Sequence, residues 1–201
     1  MPLTGVNPIY HAARFLTEVR ALEAEEIRRC GRDPLLGQPS ITPTIMRSPV
    51  RGEPQNNVMP AQSVIVLDIR LLPQQSPQDL ESKLRAILGR LETEDSSFSA
   101  ELEVVESRPP TATPKDHPIV VELDRAYREL TGKDPVYGGV PGSTDGTILF
   151  SQAGVPVVTC GPGDTLIPHH VDEYLDVDQL MDGPALSGRQ LGLGNTRGQQ
   201  C

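Results

Sequence analysis

His169 and His170 stand side by side with Asp164, Asp172 and Glu173 close by. Neutral imidazole nitrogens and anionic carboxylate oxygens are the ligand types of a zinc site. One such loop falls short of a catalytic centre, which takes about three protein ligands and an open position. Surface histidines in an acidic loop are the plain alternative. Gly142-Ser143-Thr144-Asp145 places hydroxyls and backbone N–H groups ahead of a short helical segment, a setting that stabilises a carboxylate or phosphate. An ordinary helix cap explains the same residues, and no GK[ST] follows to make a phosphate loop. Arg70 can clamp a carboxylate through both arms of its guanidinium, or simply pair with Asp68 in solvent. Asn56-Asn57 before Val58-Met59-Pro60 reads first as a turn and second as a polar ligand. His11 and His117 lie close to helix starts and read as structural. No GxSxG motif occurs, so a serine hydrolase has no support.

These residues need elements to hold them. Asn7 and Pro8 open a helix, as cap and first-turn proline. Ile9, Ala12, Ala13, Leu16, Val19 and Leu22 continue it at helical spacing, and Gly31 stops it. Strands are predicted at 40–47 and 63–71. In the second, Ile65, Leu67, Ile69 and Leu71 share one face, which turns Arg70 away from the core. Ser76-Pro77 opens another helix with Leu80, Leu84, Ile87, Leu88 and Leu91 as its stripe. Phe98, Ala100, Leu102 and Val104 alternate and predict a further half-buried strand. Helix–strand–strand–helix–strand is a ferredoxin-like order with one strand fewer than its usual four. The Pro-rich run 108–114 reads as an extended linker. Beyond it come a helix ending at Gly132, the 138–144 loop, a short helix closed by Gly154, and an apolar strand 155–160 of the buried parallel kind. Ligand sites in open α/β sheets lie at the carboxyl ends of strands, which is where the two histidines fall.

Composition narrows the field. The 201 residues carry a formal net charge of -9, 20 Pro, 18 Gly, 3% aromatics and no Trp. That acidity gives no electrostatic footprint for nucleic acid or an anionic membrane. No apolar run nears the roughly 18 residues of a membrane span. Three scattered cysteines are no disulfide framework, so the expected location is cytoplasmic.

Taken in order, the segments resemble the M20 family of metallopeptidases and amidohydrolases, in its succinyl-diaminopimelate desuccinylase and acetylornithine deacetylase branch. Gly5-Val6-Asn7-Pro8-Ile9 is similar to the family's G-x-N-A-I, Asn57-Val58-Met59-Pro60 to its N-V-[IV]-P, and Leu67-Asp68-Ile69-Arg70 to its L-D-x-R. Pro141-Gly142-Ser143-Thr144-Asp145-Gly146-Thr147 resembles [GP]-G-[AST]-T-D-G-T. Gly154-Val155-Pro156, Gly161-Pro162-Gly163-Asp164 and His169-x-x-x-Glu173 complete the series.

The resemblance implies an α/β (α+β) chain. A ferredoxin-like dimerisation lid over 1–109, lacking its first strand, is followed by the C-terminal part of a zinc-peptidase-type catalytic domain over 110–183. Residues 184–201 show neither helical nor strand periodicity and are expected to be a divergent, disordered tail. The family's chemistry implies two zinc ions per site, with cobalt as a substitute, and a glutamate base that acts with metal-bound water on an amide carbonyl. His169 matches the last metal ligand, Asn57 and Arg70 match lid positions that hold a substrate carboxylate, and Gly142, Ser143 and Thr144 match the loop that grips the substrate's polar end. The implied substrate is a small N-acyl amino acid of the N-succinyl- or N-acetyl-diamino acid type, and the implied partner is a second copy through the lid.

The family's H-x-D motif, bridging aspartate, Glu-Glu pair and remaining acidic ligand precede the lid, and these 201 residues do not contain them. The expectation is therefore an N-terminally truncated fragment that assigns no catalytic residue and is inactive alone. A non-catalytic homodimerisation module and a gene-model fragment are the alternatives.

Overall fold

A computed structural model describes residues 5–163, 167, 170–178 and 180–181. The elements run α1 (Pro8–Cys30), β1 (Ser40–Arg47), β2 (Val64–Arg70), α2 (Pro77–Glu94), α3 (Pro118–Thr131) and α4 (Asp145–Ala153). Two compact units result. One holds the described residues up to Pro110 with Gly139–Gly142; the other holds Thr111–Gly138 and the described residues from Ser143 onward.

Local chemistry sets the first unit's helices. Asn7 accepts the Ile9 N–H at 3.0 Å ahead of Pro8, and Ser76 accepts the Asp79 N–H at 3.3 Å ahead of Pro77. Each cap satisfies a donor that the first helical turn leaves unpaired. Ala12, Val19 and Leu22 of α1 are buried, as are Leu80, Leu84, Leu88 and Leu91 of α2. One cluster joins Val19, Leu22, Leu80 and Leu84 to Ile41 of β1, and a second joins Leu88 and Leu91 to Phe98. Each fully buried leucine contributes about 2 kcal/mol.

The core also contains a charge. Glu26 is only 3% exposed, at the place on the α1 stripe where another leucine fits the spacing. Its carboxylate accepts from Arg29 at 2.5 Å, Lys83 at 2.5 Å and the buried Gln75 at 2.8 Å. Gln75 in turn accepts the Leu72 N–H at 2.8 Å. The Arg29 hydrogen bond, opposed by burial and helped by Lys83 and Gln75, lowers the Glu26 pKa to about 2. An ion in this position is stable because every oxygen is occupied.

β1 and β2 form a two-stranded antiparallel sheet, with Ile41 opposite Ile69 and Pro43 opposite Leu67, and with a bulge between Pro43 and Ile45. The Ile41 N–H is taken by the Glu23 carboxylate at 2.9 Å. The strand expected over 98–104 does not form: these residues carry no ladder. Phe98 is buried and Leu102 half-buried against the helices, so the alternation correctly marks an inward face. A strand also needs a neighbour to bond, and β2 is not that neighbour.

In the second unit α3 starts at His117, whose Nδ1 accepts the Ile119 N–H at 3.3 Å. α3 and α4 stop at Gly132 (φ 69) and Gly154 (φ 65) in the left-handed region, where glycine meets no Cβ penalty. The apolar run 155–160 likewise forms no strand among the described residues. Instead Thr113 serves Val157 on both sides, its hydroxyl accepting the Val157 N–H at 3.2 Å and donating to the Val157 carbonyl at 2.6 Å. No helix among the described residues is long and apolar enough to cross a membrane.

Candidate functional site

Arg70 ends β2 on the sheet's outer face, half exposed. Its Nε donates to Asp68 at 2.8 Å, and its Nη1 donates to the Pro141 carbonyl at 3.1 Å. The solvated Asp68 pair and a second contact therefore coexist. The second contact ties β2 to the residue directly before Gly142. Gly139, in the same stretch, sits so close to the 33–37 turn that a Cβ there would lie 2.5 Å from Leu36 Cδ2 and 3.0 Å from the Leu35 carbonyl oxygen. Glycine is thus what lets 139–142 lie against the first unit.

Gly142 has no such constraint, since an added Cβ would meet only Val140 Cγ1 at 3.9 Å. Its missing side chain leaves space in front of the loop. Ser143 and Thr144 are exposed. Thr144 holds the N-cap position of α4, yet its side chain makes no capping hydrogen bond, and its carbonyl accepts the Thr147 N–H at 2.9 Å. The expected helix cap is thus present in backbone form only. The hydroxyl and the N-terminal donors of α4 retain capacity for an anionic group. Gly146 seats this helix start: a Cβ there would lie 2.5 Å from Val157 Cγ1.

Asn57 falls in an exposed turn of the β1–β2 connection, where the Val58 N–H reaches the Gln55 carbonyl at 3.3 Å. That connection enters β2 at Val64, and Arg70 is at the far end. Six residue steps separate the strand ends by about 20 Å. Within one chain Arg70 and the Gly142 loop come together, whereas Asn57 belongs to the opposite end of the hairpin.

His169 and Asp164 lie outside the described residues. His170 is exposed, with its N–H on the Ile167 carbonyl at 3.2 Å, and Asp172 follows at φ 63. Cys160 has its thiol pushed up by burial, which makes it a poor nucleophile at neutral pH. Among the described residues no three His, Cys, Asp or Glu side chains converge as a metal ion requires. The described residues alone therefore do not fit a zinc centre. Sequence reasoning missed Pro141 as a partner of Arg70, which no local signal marks. It also missed Glu26, whose place on an otherwise apolar stripe was a usable signal.

A sheet hairpin under two capped helices, with an arginine held beside a glycine-rich loop, is the architecture of a peptidase lid. Residues 1–96 match the M20 family's peptidase dimerisation domain, and the chain belongs with that family. It is 27% identical over 188 residues to the acetylornithine deacetylase of Myxococcus xanthus, covering 94% of this chain and 47% of that protein. It is 30% identical over 146 residues to a [LysW]-lysine/[LysW]-ornithine hydrolase of Saccharolobus solfataricus, covering 73% of this chain and 38% of that one. In three dimensions it resembles an M20 family metallo-carboxypeptidase from Sulfolobus solfataricus, with a TM-score of 0.61, 18% identity, and coverage of 85% of this chain and 42% of that one. The chain thus spans less than half the length of these relatives.

Proposed function

We propose that this chain supplies the lid and the C-terminal part of the catalytic domain of a cytoplasmic, zinc-dependent amidohydrolase acting on an N-succinyl- or N-acetyl-diamino acid. The lid is residues 1–109, the catalytic part 110–183, and 184–201 a tail. The observation that carries the reading is the Arg70–Pro141 hydrogen bond, which brings the lid arginine to the start of the Gly142-Ser143-Thr144 loop. In this reading Arg70 turns its guanidinium from the carbonyl to the substrate carboxylate. The loop hydroxyls and the α4 N-terminus receive the substrate's polar end, and Asn57 adds a polar contact from the hairpin connection.

His169 is read as one zinc ligand. The other ligands and the general base lie in residues that this chain does not contain. Its own contribution is binding and orientation, and alone it turns nothing over. Titration of the purified chain with N-acetyl- and N-succinyl-diamino acids, followed by NMR, is expected to shift Arg70 and residues 142–144. Arg70→Ala is expected to abolish those shifts, and their absence from the unmodified chain overturns the reading. Two zinc ions per chain with amide turnover would overturn its incompetence.

A second reading, a homodimerisation module, is favoured by the match of residues 1–96 to a dimerisation domain. Light scattering of the full chain tests it, and a strictly monomeric chain counts against it.

A further inference from the structure

The two edges of the lid sheet differ in what they offer a partner. On β1 the Ile41 N–H is consumed by Glu23, Pro43 has no N–H, and a bulge follows it. These are devices that close an edge to strand addition. Because Ile41 directs its N–H away from β2, the Ile41–Ile69 and Pro43–Leu67 pairs are the non-hydrogen-bonded kind. Leu67 and Ile69 therefore present their N–H and C=O groups to the other edge of β2, where the sheet has no further strand.

That edge adjoins a gap in the covering of the helices. β2 packs through Leu67 and Ile69 over Val19, Leu22, Leu80 and Leu84. The extended residues 98–102 cover the other part of the same layer, with Phe98 on Leu88 and Leu91 and its ring 4.9 Å from that of His11. Phe15 and Ile87 touch both clusters and are only half buried.

We infer that the open edge of β2, together with residues 98–104, forms a docking slot for one extended peptide of another polypeptide, with apolar residues at alternate positions and basic residues between them. The backbone row on Leu67 and Ile69 calls for a strand. The half-covered Phe15 and Ile87 call for apolar side chains on its inner face. The exposed Glu101, Glu103 and Asp68 flank its outer face and select lysine or arginine there. A second copy of this chain fits less well, because its own β2 edge brings Asp68 against these carboxylates.

The test uses the full chain and a synthetic seven-residue peptide alternating Val or Ile with Lys. Fluorescence anisotropy reads binding, and hydrogen exchange reads the Leu67 and Ile69 amides. Saturable binding with those two amides slowed is expected. N-methylating the peptide on its ladder-facing residues, which leaves the protein untouched, is expected to weaken binding at least about tenfold. Joint Glu101→Lys and Glu103→Lys substitution is expected to reverse the preference toward a peptide with Glu in place of Lys. No binding, binding indifferent to N-methylation, or protection on β1 instead overturns the proposal. So does a concentration-dependent dimer in which Leu67 and Ile69 are already protected, since the occupant is then a second copy.

Discussion

Arg70 donates to the carbonyl of Pro141, 71 residues further along the chain, at 3.1 Å, while Asp68 holds its Nε at 2.8 Å. Arg70→Lys retains the charge but cannot bond both partners in this fixed fork. The expected result is faster amide exchange over 139–142 and weaker binding of N-acyl amino acids by about tenfold. Global stability is expected to change by less than about 0.5 kcal/mol, because both side chains are half exposed. Hydrogen exchange read beside a urea titration separates the local effect from the global one.

Glu26 gives the lid a definite acid response. Its folded pKa, lowered to about 2 from 4.5, lies below that of the unfolded chain, so the unfolded state takes up the proton first. The stabilisation is complete above pH 4.5 and is lost as the pH falls toward 2. Glu26→Ala is expected to cost about 2 kcal/mol at neutral pH, since it strands Gln75 and leaves a void. The difference between variant and parent urea midpoints is expected to shrink as the solution is acidified through that window.

Two glycines separate propensity from packing. Gly89 lies within α2, and a Cβ there meets nothing within 4 Å. Gly89→Ala is expected to stabilise by about 0.5–1 kcal/mol. Gly146 is also helical, but a Cβ there lies 2.5 Å from Val157 Cγ1. Gly146→Ala is expected to destabilise by about 1–3 kcal/mol despite the same gain in propensity. Thermal unfolding of the two variants should shift in opposite directions.

The parts that could be read from sequence are those whose causes are local. Asn7-Pro8 and Ser76-Pro77 announce helix starts because cap, proline and first turn are adjacent residues, and both caps form as expected. The outward face of Arg70 follows from strand alternation. What escaped depends on partners distant in the chain. Residues 98–104 and 155–160 have the pattern of strands, but pattern specifies a face and not a neighbour. Pro141 reaches Arg70 through the close approach at Gly139, and Asn57 is parted from Arg70 by the length of β2. His169 and Asp164 fall outside the described residues, so the metal half of the site stays a proposal.

Pro43 and the Glu23 cap on Ile41 bear on how copies of this lid would tell each other apart. A sheet border with full backbone donors accepts any strand, because every polypeptide carries the same amide. A border short of donors leaves recognition to side chains such as Leu16, Arg20 and Pro43, which line a hollow of about 450 Å³ between α1 and β1. Side chains diverge between lineages while backbones do not. Pairing along that border would therefore discriminate self from related lids, and would drift with each substitution in α1.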